Sequence, residues 1–127
     1  MSSRLLLDTH ALIWALSAPR RLPAAVAASI RDPENTVYVS AASTWEIAIK
    51  SALGKIDADL PMVVRGARAA GFEELPITVA HSEAAARLPP VHSDPFDRML
   101  VAQAQATGWP ILSADSVFDH YGVRRIW

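Results

Sequence analysis

The apolar positions of this chain change their period several times, and each change falls where a strand hands over to a helix. Leu5, Leu6 and Leu7 form a short run that is apolar on both sides, as in a strand covered on both faces of a parallel sheet. Leu12, Ile13 and Leu16 then recur at three and four, which predicts a helix with Thr9 at its N-cap. Asp8 lies on that junction. Thr36-Val37-Tyr38-Val39-Ser40 is a second, β-branched and aromatic run. From Ala41 to Leu53 the spacing is helical again, with Trp45, Ile49, Ala52 and Leu53 along one side and Gly54 just past the end.

Further helices are predicted over Ala24 to Ile30, Met62 to Ala70 and, behind a Thr78 cap, up to Leu88. The clearest opens at Ser93-Asp94-Pro95-Phe96-Asp97, with Asp94 as N-cap, Pro95 at the first helical position and Gly108 beyond the end. Phe72 to Ile77, Pro110 to Asp115 and Val123 to Trp127 are strand candidates, with a helical turn over residues 116 to 121. This alternation of strand and helix with short connections predicts an α/β domain over residues 1 to 127, with a mostly parallel central sheet and helices on both faces.

Composition narrows the function classes. The chain has 127 residues, no cysteine and a formal net charge of −1, so disulfides, thiolate zinc sites and a global basic field for nucleic acid are all excluded. The apolar run before Asp8 is only three residues long, too short for a signal-peptide core, and no uncharged stretch nears the ~20 residues of a membrane span. The expectation is a soluble, cytoplasmic protein without a membrane partner. Any contact with nucleic acid must use local cations, for which Arg98, Lys50, Arg20 and Arg21 are the candidates.

Asp8, Asp97 and Asp115 fall at junctions that a parallel sheet brings to one edge, and Glu46 lies less than two turns beyond another. Ligands bind outside the carboxyl ends of strands in such sheets. A strand-ending aspartate alone is often only a cap or turn former, and Glu46 with Lys50 four residues on reads equally as a surface ion pair. Convergence is what matters. Two like charges 4 Å apart repel by roughly 4 kcal/mol at an effective dielectric near 20, so four gathered carboxylates call for protonation or a cation. Oxygen donors favour Mg²⁺ or Mn²⁺, and such a site suits phosphodiester hydrolysis by metal-activated water. His10, His81, His92 and His120 show no ligand spacing and read as packed or solvated, and Trp14, Trp45, Trp109 and Trp127 read as core. No dinucleotide fingerprint, P-loop, zincin motif or nucleophile elbow is present.

The stretch Leu5-Leu6-Leu7-Asp8-Thr9-His10-Ala11-Leu12-Ile13-Trp14 resembles the opening motif of the PIN-domain ribonucleases, in particular the VapC-type toxins of toxin-antitoxin pairs. Ser40 to Lys50, with Thr44-Trp45-Glu46, is similar to the second motif, and Asp94 to Ala104 followed by Leu112-Ser113-Ala114-Asp115 to the third and fourth. The likeness spans essentially the whole chain. It implies a three-layer α/β/α sandwich forming a single PIN domain, a Mg²⁺-dependent endoribonuclease, and a cognate antitoxin that blocks the site. By the same likeness, Asp8, Glu46, Asp97 and Asp115 match the acidic quartet as catalytic and metal-holding residues, and Thr9 and Ser113 match its hydroxyl neighbours. Expected partners are the antitoxin, an RNA substrate and, as an option, a second copy of the chain in a homodimer.

Two rival readings are a phosphoryl-transfer enzyme with an aspartyl nucleophile and a non-catalytic module whose acids cap helices. The D-x-D opening of the first is absent from Asp8-Thr9-His10. Within the third motif, Asp94 precedes a proline and is expected to serve as cap, and Asp97, in the first helical turn, as metal ligand.

Overall fold

A computed structural model describes residues 2 to 127. The five strands are β1 (Arg4–Leu7), β2 (Thr36–Ser40), β3 (Glu73–Leu75), β4 (Ile111–Leu112) and β5 (Arg125–Ile126). They pair in the order β3-β2-β1-β4-β5, every pair parallel. The chain therefore starts at the centre of its sheet, builds outward to β3, and crosses back to lay β4 on the other side of β1. That reversal is a topological switch point, the place where an open parallel sheet leaves a crevice at its carboxyl edge.

Among the described residues six α-helices cover the sheet: α1 (Thr9–Ser17), α2 (Ala24–Arg31), α3 (Ala41–Ala52), α4 (Leu60–Ala69), α5 (Val79–Arg87) and α6 (Pro95–Thr107), with 3-10 turns at Pro19–Arg21 and Ser116–Tyr121. Leu5 and Leu7 project into one core with Leu12, Val26, Val37, Val39, Val63 and Leu112. Leu6 enters a second core with Leu100, Val101, Ile111 and Phe118. The double-sided apolar run of β1 thus marks the middle layer of an α/β/α sandwich, in keeping with the parallel-sheet rule. None of the helices among the described residues is long and apolar enough to cross a membrane.

Several expectations are corrected. The N-cap of α1 is Asp8, whose Oδ1 accepts the Ala11 amide at 2.8 Å; Thr9 is already helical. On α3 the buried residues are Ala42, Ser43, Glu46 and Ile47, whereas Trp45 is 60% and Leu53 63% exposed. Hydrophobicity failed there because the helix turns Ala42, Ser43 and Glu46 inward beside Ile47 and leaves Trp45 outside. Helix α4 starts at Leu60, before the expected Met62, because Pro61 sits in the first turn, where no intrahelical N–H is required. The short strands β3, β4 and β5 are trimmed relative to the apolar runs that contain them.

Candidate metal centre at the carboxyl edge of the sheet

Asp8 is the hub. It directly follows β1, its Oδ2 accepts the Ser113 hydroxyl at 2.5 Å, and its own amide donates to Leu112 O at 3.2 Å. The centre of the sheet and the end of β4 are thereby locked at the switch point. Asp8 is buried, which pushes its carboxyl pKa up; the Ser113 and Ala11 bonds and the charge of His10 oppose that shift, and the charge of Glu46 adds to it.

Glu46 reaches the same edge from α3, whose N-cap is Ser40 at the end of β2, with its hydroxyl accepting the Ala42 amide at 3.0 Å. Its carboxylate is buried, with one hydrogen bond on each oxygen. The Thr9 hydroxyl donates to Oε1 and the Lys50 ammonium to Oε2 at 2.5 Å. Lys50 also lies 3.5 Å from Asp94 Oδ2, and the Glu46 hydrogen bond holds its pKa above the ordinary lysine value. The pair is thus not the surface salt bridge that spacing alone allows.

Helix α6 runs antiparallel to the strands, so its N-terminus arrives at the carboxyl edge. Asp94 caps it as expected, Oδ1 accepting the Phe96 amide at 2.8 Å and the Asp97 amide at 3.1 Å. Its other oxygen is turned toward Lys50. Asp97, one turn in, has its pKa pushed up to about 6, first by burial and then by the charges of Asp94 and Glu46, against the relief of a hydrogen bond with His92. Asp115 caps the last 3-10 turn through the Val117 amide at 2.9 Å, and its own amide donates to the Ser113 hydroxyl at 2.9 Å.

One cavity of about 270 Å³ is lined by Asp8, Thr9, His10, Glu46, Lys50, His92, Asp94, Asp97 and Asp115. All four quartet acids and Thr9 are there, and Ser113 supports Asp8 from behind. His10 and His92, expected to be packed or solvated, line it too, as does Asp94, expected mainly as a cap. The short cluster His92-x-Asp94-x-x-Asp97 was the available signal.

The predicted cations divide. Lys50 lines the cavity, but Arg98 does not. Its guanidinium donates to the carbonyls of Ala85, Leu88, Pro89 and His92 at 2.9 to 3.2 Å, clamping the segment that joins α5 to α6. Those donors are committed to backbone carbonyls rather than turned toward the acids. Arg21 lies over the Trp14 ring, 4.4 Å from its centroid, and Trp14 in turn packs on His10 and Trp127. Arg20 is exposed in the turn beyond α1.

Fold and site together define an α/β/α protein with a carboxylate-lined crevice at the switch point of a five-stranded parallel sheet. The family model described as the PIN domain matches residues 5 to 123, and the chain belongs to that family. Among solved structures it is similar to VapBC2 from Rickettsia felis bound to a DNA fragment from their promoter, at 11% identity and TM-score 0.69 with 98% of each chain covered. FitAcB from Neisseria gonorrhoeae aligns at 21% identity and TM-score 0.61, over 97% of this chain and 96% of that one. VapBC-1 from nontypeable Haemophilus influenzae aligns at 13% identity and TM-score 0.66, over 97% and 96%. A search of curated protein sequences finds no significant match.

Proposed function

We propose that this chain is the toxin of a toxin-antitoxin pair and acts in the cytoplasm as a divalent-metal-dependent endoribonuclease. The observation that carries the reading is the single cavity in which Asp8, Glu46, Asp97 and Asp115 meet on a PIN fold. The donor set fits a hard cation. Burial disfavours the charged forms of Asp8 and Asp97, and these negative groups face one another, so a Mg²⁺ or Mn²⁺ ion would relieve a cost that the protein alone leaves standing. Asp8, Asp97, Glu46 and Asp115 are the residues that would hold it.

Such a cation, when bound, supplies activated water and neutralises charge on the phosphate. The chain's own residues do the rest. Ser113 and the Ala11 amide fix both oxygens of Asp8 in orientation and leave further lone pairs free. Thr9 fixes Glu46, and Lys50 offers a positive charge to an incoming phosphate at the cavity wall.

The partner proposed is a cognate antitoxin. A groove of about 450 Å³ between α1 and α4 is lined by Ile13, Leu16, Met62, Val63 and Gly66, with Asp57 and Asp59 beside it. Gly66 faces the Leu16 side chain there, at a distance where a Cβ would only be in ordinary contact. This surface fits an apolar helix carrying a flanking basic side chain. The chain should cleave RNA with Mg²⁺ or Mn²⁺ and lose cleavage in EDTA, and expression without the antitoxin should arrest growth. Undiminished cleavage in EDTA would sink the metal mechanism, and harmless expression of an active protein would sink the toxin role.

A further inference from the structure

We propose that His92 is a nitrogen ligand of the cation taken by this cavity, and that with Asp94 and Asp97 it makes the site prefer Mn²⁺ to Mg²⁺. This rests on the metal-dependent reading above and adds to the quartet a donor of a different chemical kind. One donor atom from each of His92, Asp94 and Asp97 lies within 4.8 Å of the others, the separation that ligands of a single ion require. His92 Nε2 is 2.9 Å from Asp97 Oδ2, so the ring is already turned to the acid rather than to solvent. Asp94 spends Oδ1 on the helix cap and turns Oδ2 to the cavity wall, 3.5 Å from the Lys50 ammonium.

The placement of the ring is built in. Arg98, the neighbour of Asp97 on α6, holds the His92 carbonyl at 3.2 Å together with the carbonyls of Ala85, Leu88 and Pro89. One turn of α6 therefore presents an acid to the cavity and, through the adjacent arginine, fixes the backbone that carries the imidazole. A histidine packed for stability alone would not need to line the acidic cavity. An all-oxygen site suits Mg²⁺, whereas an imidazole ligand favours first-row transition ions over Mg²⁺, and among these Mn²⁺ is the one that also suits carboxylate oxygens.

Mn²⁺ binding to the whole chain tests this, with pulsed electron paramagnetic resonance reading nitrogen directly bound to the ion. Wild type should show a nitrogen coupling. His92→Gln, which keeps a hydrogen-bond donor for Asp97 and leaves the Arg98 clamp untouched, should lose the coupling. It should also bind Mn²⁺ about tenfold or more weakly, with a much smaller change for Mg²⁺. His10→Gln, altering the other imidazole at the cavity, should keep the coupling. Bound Mn²⁺ without nitrogen coupling, or a coupling that disappears with His10 rather than His92, overturns this inference and leaves the nuclease reading intact. Failure of wild type to bind Mn²⁺ at all overturns both.

Discussion

Ser113 and Asp8 stand 105 positions apart in sequence and 2.5 Å apart in space, hydroxyl to carboxylate, at the point where the sheet reverses its order. The pair joins stability to function. Ser113→Ala removes that donor and also the acceptor of the Asp115 amide, so it should destabilise the fold by about 1–3 kcal/mol and weaken metal binding. Asp8→Asn is the opposite case: burial penalises the charge that the amide lacks, so the metal-free variant should melt no lower than wild type while cleavage of RNA is abolished. Thermal melts beside cleavage assays check both; an Asp8→Asn protein that still cuts RNA would remove Asp8 from the mechanism.

Metal-free stability should fall as pH rises from 3.8 toward about 6. Across that window the folded protein holds a proton on Asp97 that the unfolded chain has released, so rising pH favours unfolding. Asp8 shifts in the same direction. The Asp97 share is on the order of 1–2 kcal/mol after solvent screening. Denaturant unfolding on either side of the window, wild type against Asp97→Asn, isolates it: the variant should lack that part of the slope. Added Mn²⁺ should stabilise wild type most above the window, where the carboxylate is ionised.

The acids of the α6 entrance should rank unequally. Asp97→Asn exchanges a cavity carboxylate for an amide and should lose most metal affinity and cleavage. Asp94→Asn can still cap through its oxygen and should lose less of either. Calorimetry with Mn²⁺ and cleavage assays on both variants decide the order, and the reverse ranking would reassign ligand and cap.

Lys50 and Arg98 should separate cleanly. Lys50→Gln should weaken RNA binding and lower the salt slope by about one. Arg98→Ala should leave that slope unchanged but cost about 2–3 kcal/mol in stability, since four carbonyls lose a charged donor. Arg20→Ala is the companion test for a phosphate contact away from the cavity. A flat salt response in Lys50→Gln would show that its charge serves only Glu46 and Asp94.

Much of the fold was legible because it rests on local pattern. The limits of β2 and its run into α3, the Asp94 cap with Pro95, and Gly108 past the end of α6 all follow from residues adjacent in sequence, the last adopting φ +74. The acids at strand ends were legible for the same reason. What escaped depends on partners distant in the chain. Thr9 looked like a cap because its hydroxyl's true acceptor, Glu46, is 37 positions away. Arg98 looked like a surface cation because the four carbonyls it binds, at the end of α5 and in the loop after it, lie 6 to 13 positions away, beyond any helical spacing. His92 passed as ordinary because ligand spacing on one element says nothing about a loop folded over another.

The placement of β1 at the centre of the sheet also bears on folding. One edge of β1 pairs with β2 and the other with β4, and the Asp8–Ser113 bond that closes the second edge spans 105 positions. Contacts so distant in sequence cost loop-closure entropy before they stabilise anything, so the slow step of folding is the docking of β4 on β1, and the crevice takes shape only at that step.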